Sequence, residues 1–111
     1  IKRMFSDKLT EGWQYVEGQI DGERGACEAP NTWKRIGEDK WVVMYDIFSI
    51  NPHNFGFVET TDFKTFTPLG RFNEGVMKAE NFVSPKHGSV IQITKKEAKR
   101  LVKYWEKKNK K

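Results

Sequence analysis

The sequence predicts an all-β chain finished by one amphipathic α-helix. Its 111 residues hold 8 Val, 7 Ile and 15 aromatic residues but only 3 Leu and 4 Ala. That supply suits pleated surfaces and starves helices. Short apolar runs alternate with clusters of Gly, Pro, Asn and Asp, the punctuation of strands and turns. Only the stretch after Thr94 adopts a helical period. The length allows one domain, and 37% hydrophobic residues are enough for a core, which excludes global disorder.

The elements follow in order. Phe5-Ser6-Asp7-Lys8-Leu9-Thr10, with Trp13 after it, reads as a turn opened by a hydroxyl residue and an aspartate, then an aromatic that starts a strand. Residues 29–36 and 40–47 are two strands joined by Gly37-Glu38-Asp39, a short hairpin loop with a glycine. Asn51-Pro52-His53-Asn54 is a loop with His53 facing solvent, and 55–61 is a third strand. Asp62-Phe63-Lys64-Thr65-Phe66-Thr67-Pro68 turns into a short edge strand, which Pro68 and Gly70 end. Residues 89–93 read as a further strand through Val90, Ile91 and Ile93.

Two of these turns resemble each other. Asp7 and Asp62 lie 55 residues apart in similar surroundings. A period near the roughly 40 to 50 residues of a four-stranded propeller blade points to repeated blades. The expected division is the end of a preceding blade and a connection over 1–26, one four-stranded blade over 27–70, and part of a last blade over 71–94. A helix and basic tail over 95–111 follow.

Thr94-Lys95-Lys96-Glu97 is a capping box, whose hydroxyl and carboxylate satisfy two orphan backbone donors at a helix start. Ala98, Leu101, Val102 and Trp105 then form one stripe. The spacing predicts a helix over 95–107 that docks by that stripe. From Lys95 onward there are nine basic residues against two acids, a local charge of +7. The whole chain carries +5, so the first 94 residues carry −2. A nucleic-acid module spreads its positive charge over a folded face; here the body is slightly acidic, which argues against nucleic acid as a partner.

The longest apolar run, Trp41 to Tyr45, is five residues, against about 20 for a membrane span. The opening Ile1-Lys2-Arg3 shows no initiator Met and no apolar leader, so the start is expected to be the interior of a longer protein or the product of processing. Cys27 is alone and cannot form an intrachain disulfide.

Cys27-Glu28-Ala29-Pro30, then Trp33-Lys34, Gly37 and Trp41-Val42-Val43-Met44-Tyr45-Asp46, resembles a blade of the five-bladed β-propeller glycosidases of glycoside hydrolase family 43. In that family a Glu-Gly-Pro segment opens the innermost strand of the fourth blade. Thr61-Asp62-Phe63-Lys64-Thr65-Phe66 is similar to the family's Ser-x-Asp-Leu-x-x-Trp blade ending. Ser84-Pro85-Lys86-His87-Gly88-Ser89-Val90 is similar to its Arg-His-Gly-Ser/Thr-Val segment. The resemblance covers about residues 5–93. It implies a partial propeller of about two blades and an inverting hydrolase of arabinose- or xylose-containing polysaccharide or oligosaccharide, outside the cytoplasm.

It also implies roles. Glu28 matches the general acid. His87 matches the histidine near the propeller axis, which in many members binds a central cation such as calcium, directly or through water. No cofactor is otherwise required. The family's glycine is Ala29 here. Its catalytic base and orienting aspartate belong to earlier blades that a chain of this length does not hold.

Inverting hydrolysis needs one protonated carboxyl to protonate the leaving oxygen and one carboxylate to activate water. Glu28 has no basic neighbour in sequence, whereas Glu23 has Arg24 beside it, which favours the ionised form. Burial of Glu28 against apolar groups is the expected means of keeping its proton. Trp33 and Phe48 are the nearest aromatics for sugar stacking, with core packing the competing role for Trp33. Arg71 and Asn73 are candidates for hydrogen bonds to sugar hydroxyls.

Two other readings compete. One is a non-catalytic carbohydrate-binding β module; the other is an interaction domain whose tail binds an acidic partner. An isolated pair of blades would leave a blade face uncovered. Dimerisation, or association with missing blades, is therefore expected.

Overall fold

A computed structural model describes residues 1–78 and 83–109. The last two lysines of the basic tail and residues 79–82 of the expected last blade lie outside the described residues. The elements are β1 (Arg3–Phe5), β2 (Gln14–Val16), β3 (Glu28–Lys34), β4 (Trp41–Ile47), β5 (Asn54–Thr60), β6 (Thr67–Arg71) and α1 (Lys95–Lys108). β1 and β2 pair in a two-stranded antiparallel ribbon, and β3-β4-β5-β6 form a four-stranded antiparallel meander in sequence order. The chain is thus mostly β with one C-terminal helix, and the described strands do not close into a ring.

β4 and β5 are central and buried on both faces, which is why Trp41–Ile47 reads as a run rather than an alternation. Val42 and Met44 point to one side and pack with Phe55, Phe57 and Phe72. Trp33, Leu69, Val76, Met77 and Val90 cover that layer. Val43, Tyr45 and Ile47 point to the other side, pack with Val58 and are covered by Ile1, Ile20, Cys27, Ile50 and Phe66. The meander is therefore covered on one face by Phe72, Val76, Met77 and Val90 and on the other chiefly by Ile1, Ile20 and Cys27 from the chain that precedes β3.

The two similar turns both close antiparallel hairpins, β1–β2 and β5–β6, but different atoms hold them. Asp62 Oδ1 accepts the Lys64 and Thr65 N–H groups, both at 2.8 Å. In the first turn the Ser6 hydroxyl accepts the Lys8 N–H at 3.0 Å.

Three expectations are corrected. Residues 89–93 form no strand, and the one donor of the segment seen to be engaged, the Val90 N–H, goes to a side chain, Asn31 Oδ1 at 2.9 Å, rather than to a ladder. The stripe of α1 does not dock. The capping box forms between Thr94 and Glu97, yet Leu101, Val102 and Trp105 are 51, 58 and 54% exposed. Its helical period comes from local propensity and capping, which form a helix without a partner surface. The undocked helix also lengthens the molecule to 54 Å, with a radius of gyration of 16.7 Å against about 13 Å for a compact chain of this size. Finally, His53 does not simply face solvent. It is half-buried, its N–H donates to Ser84 Oγ at 3.1 Å, and its Nδ1 is shielded.

Candidate functional site

Glu28 is the first residue of β3 and stands directly opposite Asp46 of β4. Opposed residues of an antiparallel pair share a face, so both carboxylates lie at the end of the layer built by Met44 and Phe55. The pairing is interrupted just after Glu28, between Glu28 and Asn31. Ala29 sits in this bulge at φ +50°, in the left-handed region that glycine occupies without strain. A glycine at this position of the family's motif thus has a backbone reason.

His87 reaches the same end from the segment after β6. Its Nε2 is 3.0 Å from Glu28 Oε1 and 3.8 Å from Asp46 Oδ2. Its N–H donates to Asp46 Oδ2 at 3.1 Å. The side chains of Glu28 and His87 are 44 and 63% exposed, while that of Asp46 is 1% exposed. Asp46 Oδ1 is buried and meets no partner among the described residues. His87 itself has φ +48° and Ser84 has φ +54°. Left-handed non-glycine residues concentrate where surroundings over-determine the backbone, and functional sites are a common setting.

Of the remaining candidates, Trp33 and Arg71 lie elsewhere. Trp33 pairs with Val42 at the far end of β3, about 13 Å along the sheet from Glu28. It packs edge-on against Phe57, with centroids 6.4 Å apart. Phe48 is in the turn after β4 and 37% exposed. Arg71 and Tyr45 both face Gly56 across the ladders, on the side opposite Asp46. There Arg71 grips Glu23 with Nη2–Oε2 at 2.7 Å and Nε–Oε1 at 3.3 Å. Of these candidates, Glu28 and His87 are seen in direct contact. Glu28 is bordered by a carboxylate and an imidazole rather than by an apolar wall.

Asp46 is the residue that sequence reasoning missed, and a signal for it existed. A carboxylate inside the run Trp41–Ile47 must be buried, and buried charges are rare without a partner or a task. Cys27 offers no competing nucleophile. Burial, then the nearby Asp21 carboxylate, pushes its thiol up to about 11, which leaves little thiolate at neutral pH.

Glu28, Asp46 and His87 can each offer one ligand atom, all within 4.8 Å of one another, and Asp46 Oδ1 is an orphaned buried acceptor. Two carboxylates and an imidazole fit a divalent cation whose other positions are water. They supply fewer oxygens than the roughly six to eight that calcium takes.

Searches of curated proteins and of solved structures return no match. A glycoside hydrolase family 43-related model, described as a probable glycosyl hydrolase domain, matches residues 1–99. That span includes the meander, the Glu28–Asp46 pair and the His87 segment, and it stops within the first turns of α1. By that match the chain belongs to the glycoside hydrolase family 43-related domains.

Proposed function

We propose that this chain supplies the general acid, Glu28, to an inverting glycosidase acting on arabinose- or xylose-containing poly- or oligosaccharide. The observation that carries the reading is the convergence on Glu28 of Asp46 from the next strand and His87 from a distant segment. Glu28 stays half-open, as a group that must reach a glycosidic oxygen requires. The meander reads as one propeller blade and the β1–β2 ribbon as the outer half of the blade before it. The other blades would supply the base and the orienting carboxylate. An extracytoplasmic location follows from the resemblance alone.

In this reading Glu28 delivers its proton to the leaving oxygen as the glycosidic bond breaks, and the resulting carboxylate stays beside the His87 ring. A divalent cation, where bound, would be held by His87 and Asp46 with water and would add local positive charge. The steps assigned here belong to Glu28 and to the residues that orient it.

The test is leaving-group dependence in the natural full-length enzyme. Glu28→Gln should lower turnover of alkyl or sugar glycosides by about 10²–10⁴-fold. Aryl glycosides with acidic phenol leaving groups need little protonation and should lose far less. Equal losses for both substrate types would remove Glu28 from the acid role.

A further inference from the structure

We infer that Asp46 is the positioning residue of this site: it anchors the 84–88 segment so that the His87 ring meets Glu28. The inference rests on the reading of Glu28 as the reacting group and extends it to a residue that the motif resemblance leaves without a role.

The 84–90 segment joins no ladder, so something else must hold it. Among the described residues three hydrogen bonds between a side chain and a backbone amide do so, beside the His87 Nε2–Glu28 Oε1 contact at 3.0 Å. The His53 N–H donates to Ser84 Oγ, the His87 N–H to Asp46 Oδ2, and the Val90 N–H to Asn31 Oδ1. Their protein partners come from the start of β5, from β4 and from β3. Of these three amide bonds the Asp46 one is central and is accepted by a carboxylate, and charge-assisted bonds of this kind are stronger than neutral ones.

Asp46 is fixed by strand pairing on both sides, with Glu28 and with Phe55. It therefore cannot follow the segment; the segment must come to it. His87 accepts a left-handed backbone to do so, at φ +48°. The next residue, Gly88, lies flat on the core. A Cβ there would stand 2.9 Å from Met44 Cε and 3.1 Å from Phe55 Cζ. Amide capture by Asp46 and close approach at Gly88 together fix the backbone from which the His87 ring reaches Glu28. An asparagine at position 46 would retain an acceptor oxygen for the amide; an alanine would not.

The experiment is hydrogen exchange at single-residue resolution on the natural full-length protein, joined to steady-state kinetics. The His87 amide should exchange at least about tenfold more slowly than that of Lys86, which meets no acceptor among the described residues. Asp46→Ala should abolish this difference while β4 and β5 stay protected, and Asp46→Asn should restore it. With a poor leaving group, Asp46→Ala should lose about 10²-fold in kcat at unchanged KM, with most of it recovered in Asp46→Asn.

Equal exchange of His87 and Lys86 in the native protein would overturn the inference whatever the variants do. So would loss of protection throughout β3–β6 in a folded Asp46→Ala, which marks a general core role. Should Asp46→Ala fail to fold, Asp46→Asn decides: loss of the slow His87 amide there would also overturn it. If Glu28→Gln leaves turnover intact while the exchange pattern holds, the general-acid reading falls and the anchoring by Asp46 stands.

Discussion

Glu28 and Asp46 face each other across β3 and β4, yet one side chain is 44% exposed and the other 1%. Two carboxylates side by side would suggest a complete hydrolytic pair. The burial of Asp46 rules that out, since a sealed group can neither activate a water for attack nor touch a sugar. Its ligand oxygen also lies within 4.8 Å of that of Glu28, whereas the two carboxyls of an inverting enzyme stand about 6.5–9.5 Å apart. With Glu28 as the proposed acid, the second carboxyl of that reading comes from outside this pair. The 111-residue chain assayed alone is expected to show no turnover of aryl arabinofuranosides or xylosides, and rapid turnover would defeat the partial-site reading.

Ala29 should be improvable. At φ +50° an L-residue with a Cβ is strained by about 1 kcal/mol, while glycine adds some entropy to the unfolded chain. Ala29→Gly is expected to stabilise the fold by roughly 0.5 kcal/mol after that offset. A rise in the denaturation midpoint at unchanged slope is the check; a lower midpoint would mean that the bulge tolerates alanine without strain.

Asp62 should govern part of the acid limb of stability. The Thr65 N–H, then the Lys64 N–H, hold its carboxyl down to about 2 from the ordinary 3.8. A group depressed in the folded state contributes stability above its unfolded value and loses it as pH falls through the folded one. The stabilisation is thus nearly full above about pH 4 and is lost as the pH falls through about 2. Asp62→Asn is expected to melt below the native protein at pH 6, the gap closing between pH 4 and 2 in paired thermal melts. A gap that does not change with pH would show that the charge is immaterial.

The helix should behave as a separate unit. Thr94→Ala removes the capping hydroxyl that the Glu97 N–H donates to at 3.2 Å, a loss of about 1 kcal/mol to the helix. Because the apolar side chains of α1 are exposed, the meander should not feel it. Circular dichroism at 222 nm should fall while the unfolding of the sheet, followed by tryptophan fluorescence, stays put. A coupled drop in both would mean that α1 packs on the body in solution.

Much of the fold is readable from local chemistry. The loop containing Gly37, the Asp62 turn and the Thr94–Glu97 capping box are each written within a few consecutive residues, and each forms where its residues stand. Residues 89–93 show the limit. Their apolar pattern is that of a strand, but strand formation needs a free edge with donors and acceptors in register. Asn31 takes the Val90 amide instead. The helix stripe shows the same limit, since periodicity specifies a face without specifying what covers it.

The sequence by itself determined the β character, the hairpins, the capped helix and the position of Glu28 at the head of a strand, because these depend on neighbours a few residues apart. Tertiary structure alone decided that Glu28 meets Asp46 and His87 and that Arg71 turns away to Glu23. Those contacts depend on strand register and on a segment 59 residues downstream of Glu28. A shift of one residue in register would move every side chain to the other face, and no local pattern records where a distant loop will be pinned.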